Sequence, residues 1–533
     1  MLGSRSLIAA LAIGIALAVT GPAAAENVLR WSSIGGGATI DPHGLDEGPT
    51  FAQLSQVYEG LLGVDSNLEV VPRLALAWRL VDPTTWEFEL RRNVRFHDGT
   101  PLTAADVVFS IARAMADLAD GLPGPLAGRI ESIAEVRAVD EHTVHIVTKF
   151  PDPQLWDKVR PIYVMSERWA EQHDARLPAN VNAGQENFAS RHANGTGAFI
   201  LTQFEPNGPA VMVRNPDWWG FERYPHNIDR IEYTPIADRE ARLAALLRGD
   251  LDLLTSPPFS TLDQIESAPG IKLAQAPDLR TIWLGLDLSR AELRSSNLKG
   301  RNPFKDKRVR QAIYQAIDIE AIRKDIMRGL AIPAGMLVSP GAIGYAPELD
   351  ERLPYSPEAA KDLLHAAGYP DGFSITLDCP TNSQMINDEA ICRAIAAQLN
   401  KVGIDVTANP QPKDVYWAKF DNRESDFWFD TWFTLDSHLI FLHAYRTGDH
   451  ENHSGYSNPR VDDLIEKIDR EMVTYARDAM IEEVWKTVLS DIVYIPLHHQ
   501  MNVWAMRDNL EIPVFPVGFP LFREARLTAP KIN

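Results

Sequence analysis

One run of the chain concentrates the residue types that could hold a ligand: Asp426-Phe427-Trp428-Phe429-Asp430-Thr431-Trp432-Phe433-Thr434-Leu435-Asp436. Flat aromatic faces cover apolar or cationic groups, and carboxylates take amines or other donors. Alternate aromatics on both sides predict a strand buried on both faces. Asp430 inside such a strand needs either a paired partner or a ligand. Asp436 stands at the strand end, where open α/β sheets face a crevice. Trp432 is therefore expected as an aromatic wall, Thr434 beside it, and Asp436 as a charged anchor. Histidines are the second candidate. His438, His443, His450 and His453 crowd one stretch and His498-His499 follow. Two or three could ligate a metal, but their spacing matches no rigid ligand pattern. Thr447 to Ser457, rich in Gly, Asp, Asn and Ser, reads as a surface loop. No metal and no cofactor is expected.

Catalytic signatures are absent from the sequence. It has no phosphate-cradling Gly-Lys-Ser/Thr loop, no Gly-x-Ser-x-Gly elbow and no His-Glu-x-x-His. Gly195-Thr196-Gly197 lacks the third glycine of a dinucleotide fingerprint and reads as a tight turn. No catalytic residue is assigned, and the chain is expected not to be an enzyme. The 533 residues carry 52 Lys and Arg against 72 Asp and Glu, a net charge of -20. That surface repels phosphate backbones, so nucleic acid is not an expected partner.

The N-terminus predicts an address. Arg5, the apolar run Leu7 to Val19 and Ala23-Ala24-Ala25 before Glu26 have the order of a cleaved signal peptide over residues 1–25. The apolar run is too short for a membrane span. Glu26, where a lipoprotein has cysteine, predicts a freely diffusing periplasmic protein. The two cysteines, Cys379 and Cys392, are either a disulfide, which that compartment permits, or two buried thiols.

The elements that must position these residues alternate between strand and helix periods, so the class is α/β. Trp86 to Leu90 alternates as a half-buried strand. His97 to Pro101 is turn chemistry, and Thr103 with Asp106 is a capping box opening a helix. Further helices are expected from about Asp306 to Met327, from Ser356 to Gly368, and over Asn387 to Leu399.

Several of these segments together resemble the peptide, nickel and opine class of extracellular solute-binding proteins (family 5), which serve ABC importers. Trp86 to Val107 is similar to the hallmark of that family. Asn194 to Gly220, Asn302 to Asp318, Tyr355 to Phe373 and Gly455 to Pro459 with Asp462 or Asp463 resemble four further blocks, in order. The resemblance implies a two-lobed periplasmic-binding-protein fold of type II, with an extra domain inserted in lobe one. Lobe one would use residues 26–50, 194–279 and 500–533, the inserted domain 51–193, and lobe two 280–499. Thr281 to Leu286 and Ile495 to Leu497 would carry the crossing strands. The implied function is capture of a peptide or other small polar solute, passed by a monomer to a membrane permease with its ATPase subunits. Binding of a nickel or metal complex, an opine or a glycoside on the same fold is the alternative, and a secreted hydrolase a remoter one. Trp283 at the hinge, with Ser33 and Gly35 after the first strand, would be secondary contacts. In peptide-binding relatives an aspartate three residues after the tryptophan grips the free amino group. Here Leu435 holds that position and Asp436 follows it, an offset that on a strand turns a side chain to the other face.

Overall fold

Two long strands, Ile271–Leu286 and Ile495–Arg507, pair antiparallel through the middle of an 11-stranded sheet. The computed structural model describes residues 26–529 apart from 34, 119, 382 and 384, so the signal peptide expected over 1–25 lies outside the described residues. Beyond one long strand lie Phe427–Phe433, Phe373–Thr381 and Ile404–Pro412. Beyond the other lie Leu253–Thr255, Val28–Ser32, Arg230–Tyr233, Ala210–Arg214 and Phe199–Phe204. The expected strands over 281–286 and 495–497 are thus parts of longer ones.

The central ladder shifts register twice near its middle, between Pro277 and Thr281 and again between Ile282 and Trp283. Residues 271–277 pair with 501–507, then the register shifts between Pro277 and Thr281, where pairing resumes opposite His499. Proline has no N–H to give the ladder, so a break there is expected. Polar side chains clamp the break. The buried Asp278 carboxylate accepts from Arg280 at 3.0 Å and from Gln500 at 3.1 Å. Thr281 Oγ1 and Asp350 Oδ2 lie 2.8 and 3.0 Å from the two ring nitrogens of His499.

The aromatic strand is buried on both faces from Phe427 to Asp430 and emerges toward Phe433, which is exposed. Phe427 and Phe429 pack with Ile282 and Leu284 on one side, while Trp428 packs with Trp283, Tyr416 and Tyr494 on the other. A separate four-stranded antiparallel sheet runs Ala75–Asp82, Thr85–Leu90, Thr143–Thr148, Ile133–Asp140. Helix Ala104–Met115 covers it, and the Thr103 N–H donates to Asp106 Oδ2 at 2.9 Å, closing the expected capping box. The helix expected from Asp306 to Met327 is broken. It runs Lys307–Ala316, Ile317 turns extended, and Asp318 caps a new turn by accepting from the Ala321 N–H. The apolar period continues across the break, which is why periodicity alone conceals it.

Cys379 and Cys392 form a disulfide with 6.5 Å between their Cα atoms, which joins strand Phe373–Thr381 to helix Asp388–Asn400. The bond closes a short loop, 13 residues apart in sequence. Loop-closure entropy assigns such a bond about 3 kcal/mol. Denaturant unfolding of oxidised and dithiothreitol-reduced protein should differ by that order, with the reduced form weaker; equal midpoints would contradict it.

Candidate functional site: a cleft beside the aromatic strand

The chain after Phe433 leaves the sheet and forms one wall of a cleft of about 980 Å³, at the upper end of the usual range for small-molecule sites. Trp432, Thr434, Leu435 and Leu439 line this wall. The facing wall comes from distant segments, with Phe51 and Tyr58 on one stretch, Tyr163 on another, and Phe519 and Leu521 near the C-terminus. Tyr163 lies against both Phe51 and Tyr58, with ring centroids 6.0 and 6.5 Å away. The Trp432 ring is stacked on His443, 5.5 Å between centroids and 17° between planes. Basic and acidic side chains line the cleft in equal number, although the chain as a whole carries a net charge of -20. The acidic bias of the surface therefore stops at the cleft.

The loop that shapes the first wall is held by short-range bonds. Thr434 Oγ1 accepts from the Asp436 N–H at 3.0 Å and donates to the Asp436 carbonyl at 2.8 Å. Asp436 then caps helix Ser437–Ile440, with Oδ1 accepting from the His438 N–H at 2.8 Å. Its other oxygen accepts from Arg477 at 3.0 Å. Burial holds the Asp436 carboxyl above its ordinary range, opposed by the Arg477 charge and the His438 N–H. Asp436, the expected anchor, lines the cleft, and its charge is also met by Arg477 from inside the protein. Leu435, in the position that the resemblance gives to an amine-gripping aspartate, presents an apolar side chain to the cleft.

Of the other expected contacts, Trp432 and Thr434 line the cleft, while Trp283, Asp430, Ser33 and Gly35 lie off its lining. Trp283 and Asp430 are directly opposed across neighbouring strands. Asp430 accepts from the Thr431 N–H at 2.7 Å, and burial pushes its carboxyl up to about 7. Ser33 Oγ donates to the Gly35 carbonyl at 2.9 Å and lies 3.0 Å from the Tyr233 hydroxyl, a local knot after strand Val28–Ser32. His443 and His450 stay together beside Asp449, 6.4 Å between ring centroids, while the other histidines separate. His438 is buried with Nδ1 3.1 Å from Gln154 Oε1, and His453 stacks on Phe420 at 3.9 Å. Among the described residues no three His, Cys, Asp or Glu side chains assemble as metal ligands.

Three charged residues of the cleft carried no signal in the sequence: Glu59, Arg73 and Arg523. They come from three separate segments, and singly each is an ordinary charge. Glu59 is 3% exposed and accepts from Trp219 Nε1 at 2.7 Å and Thr196 Oγ1 at 3.0 Å. Thr196 reaches it because the glycines on either side allow close backbone approach. A Cβ on Gly195 or Gly197 would stand 2.0 or 2.7 Å from the Val57 carbonyl oxygen.

Residues 69–452 match the sequence model of bacterial extracellular solute-binding proteins, family 5 Middle. The chain is 28% identical over 406 residues to the glutathione-binding protein GsiB of Escherichia coli O6:K15:H31 (strain 536 / UPEC), covering 75% of this chain and 72% of that one. It is 26% identical over 493 residues to the periplasmic murein peptide-binding protein MppA of Escherichia coli K12, covering 87% and 86%. Its fold matches the periplasmic binding protein DppA of Helicobacter pylori in complex with peptide STSA. There the TM-score is 0.73 at 22% identity, over 94% of this chain and 98% of the other. The two-lobed fold is shared.

Asp430 provides a check on the burial described above. Its carboxyl titrates near 7 in the folded protein against 3.8 ordinarily, so the folded state binds that proton more tightly than the unfolded. The stability this supplies is complete below about pH 4 and is lost as pH rises through 7. Asp430→Asn removes the titration. Its stability relative to wild type should rise by about 2–4 kcal/mol between pH 4 and pH 8, measured by denaturant unfolding; a difference that does not vary with pH would contradict the burial.

Proposed function

The chain belongs to the bacterial extracellular solute-binding proteins of family 5, and from that premise we propose that it captures a peptide or similarly small polar solute in the cleft and passes it, chemically unchanged, to the permease of an ABC importer. The observation that carries this reading is the cleft itself, built from segments far apart in the chain on either side of the central strands. Capture then couples to shape, because a guest touching both walls favours the arrangement that brings them together.

In this proposal the lobes follow the expected boundaries: residues 26–50, 194–279 and 500–533 for lobe one, 51–193 for the inserted domain and 280–499 for lobe two. The register shift between Pro277 and Thr281 falls at one of those boundaries and supports it. The protein acts as a periplasmic monomer and not as an enzyme. Trp432 and Thr434 contact the ligand directly. Asp436, bound to Arg477 and the His438 N–H, holds the loop that presents them. Glutathione and murein peptides, which the names of the relatives GsiB and MppA specify, define the size and polarity of solute to try first.

Equilibrium dialysis against a pool of di- to pentapeptides that includes glutathione, followed by mass spectrometry of the retained fraction, tests this. Intact peptides should be retained, and Trp432→Ala should weaken retention about tenfold or more, as loss of an aromatic wall costs over ~1.4 kcal/mol. Cleaved products, or no retention from any pool, would overturn the proposal.

A further inference from the structure

The strongest unexplained polarity in the cleft is a pair of arginines. Arg73, 3% exposed, lines the cleft with its guanidinium 5.0 Å over the Tyr224 ring. None of its three guanidinium nitrogens has a hydrogen-bond partner among the described residues. Arg523, 9% exposed and also in the lining, has an unpartnered Nε. A single oxygen, Glu524 Oε1, lies 3.7 Å from Arg73 and 3.8 Å from Arg523, which sets the two guanidinium groups side by side. Both separations exceed a hydrogen bond. Glu524 stands behind the arginines, outside the lining of the cleft.

The neighbouring Glu59 carboxylate attracts both guanidinium groups, but its hydrogen bonds go elsewhere. Glu59 is turned to Trp219, Thr196 and Trp218, at 2.7, 3.0 and 3.4 Å. Arg91 adds another positive charge behind the pair, its guanidinium 4.1 Å over Trp219 and its Nε donating to the Arg73 carbonyl. Arg73 and Arg523 both line the cleft, Glu524 does not, and Glu59, which does, makes its hydrogen bonds with Trp219 and Thr196 instead. Buried guanidinium donors without acceptors are costly. A carboxylate suits them better than any neutral group, since its two oxygens accept parallel charged bonds from the guanidinium fork.

We propose that Arg73 and Arg523 form a carboxylate subsite of the cleft, so that the solutes captured carry a free carboxylate whose oxygens complete the unmade hydrogen bonds of both arginines. This rests on the capture function proposed above and adds which end of the solute is recognised. Burial lowers the Arg523 guanidinium to about 10, still charged at physiological pH. The subsite is drawn from residues before strand Ala75–Asp82 and near the C-terminus, whereas Trp432 and Thr434 lie on the opposite wall. A bound carboxylate thereby orients the solute across the cleft, with its remainder toward Trp432.

The test uses the whole protein and three matched tripeptide pools: free acids, C-terminal amides, and fully methyl-esterified peptides. Affinities are measured by competition for retention. The free acids should bind at least 30-fold more tightly than the esters. Binding of amides only where an Asp or Glu side chain is present would assign the carboxylate to a side chain. Loss of all amides would assign it to the main chain, and either result supports the subsite. Esters that bind within threefold of the acids would overturn the subsite while leaving capture intact. Retention of no pool would overturn capture and the subsite together. Arg73→Gln and Arg523→Gln, checked for folding by thermal melting, should each shrink the acid-to-ester ratio severalfold, and the Lys variants should restore part of it. Because the acid-to-ester comparison is made on wild-type protein, a variant that fails to fold does not remove the test.

Discussion

Everything in this protein hangs on the antiparallel pairing of Ile271–Leu286 with Ile495–Arg507. These strands carry the sheet from one set of partners to the other, and their ladder changes register where Pro277 removes a donor. A ladder whose register shifts all fall between Pro277 and Trp283 can bend over that short stretch without unzipping on either side. The side chains at the break are all anchored. Asp278 is held by Arg280 and Gln500, and His499 by Thr281 and Asp350. The bend therefore has defined hydrogen bonds at its pivot.

That constraint explains the division of labour around the cleft. The wall carrying Trp432 extends directly from the rigid sheet, because Phe427–Phe433 pairs with residues 280–286 through its whole length. Where the strand stops, Thr434 and Asp436 fold the chain back on itself, and Arg477 neutralises the aspartate within the protein. A buried charge with its own partner is expensive to disturb. Asp436 is better suited to hold the loop than to exchange partners with each arriving solute. The unspent hydrogen-bonding capacity lies on the other wall, at Arg73 and Arg523. The cleft thus joins a wall carrying Trp432 and Leu435 to one carrying Arg73 and Arg523.

How much of this was legible in the sequence follows the range of the interactions. Trp86 to Leu90 and the Thr103–Asp106 cap obey rules spanning a few residues, and both were readable. So was the burial of Phe427 to Asp430 on both faces, although Phe433 at the strand end is exposed. The family blocks extended this to the whole fold, including the two-lobed architecture. The break at Ile317 was hidden because the apolar period runs through it, and the helix ends only because Asp318 caps a new turn. The Cys379–Cys392 bond was left open because pairing depends on geometry. The site was least legible. The partner of Asp436 lies 41 residues away at Arg477, and Arg73 and Arg523 meet across most of the chain. Neither has a spacing that a sequence could display.

The central claim is that the two sides of the cleft move about the central strands and enclose an intact guest. Small-angle X-ray scattering of the protein, freed of bound solute and then given a saturating peptide pool, measures this directly. Enclosure of the guest requires a smaller radius of gyration with peptide present, reversed when the peptide is dialysed away. An identical scattering curve with and without peptide, from protein shown by mass spectrometry to hold it, would contradict the account.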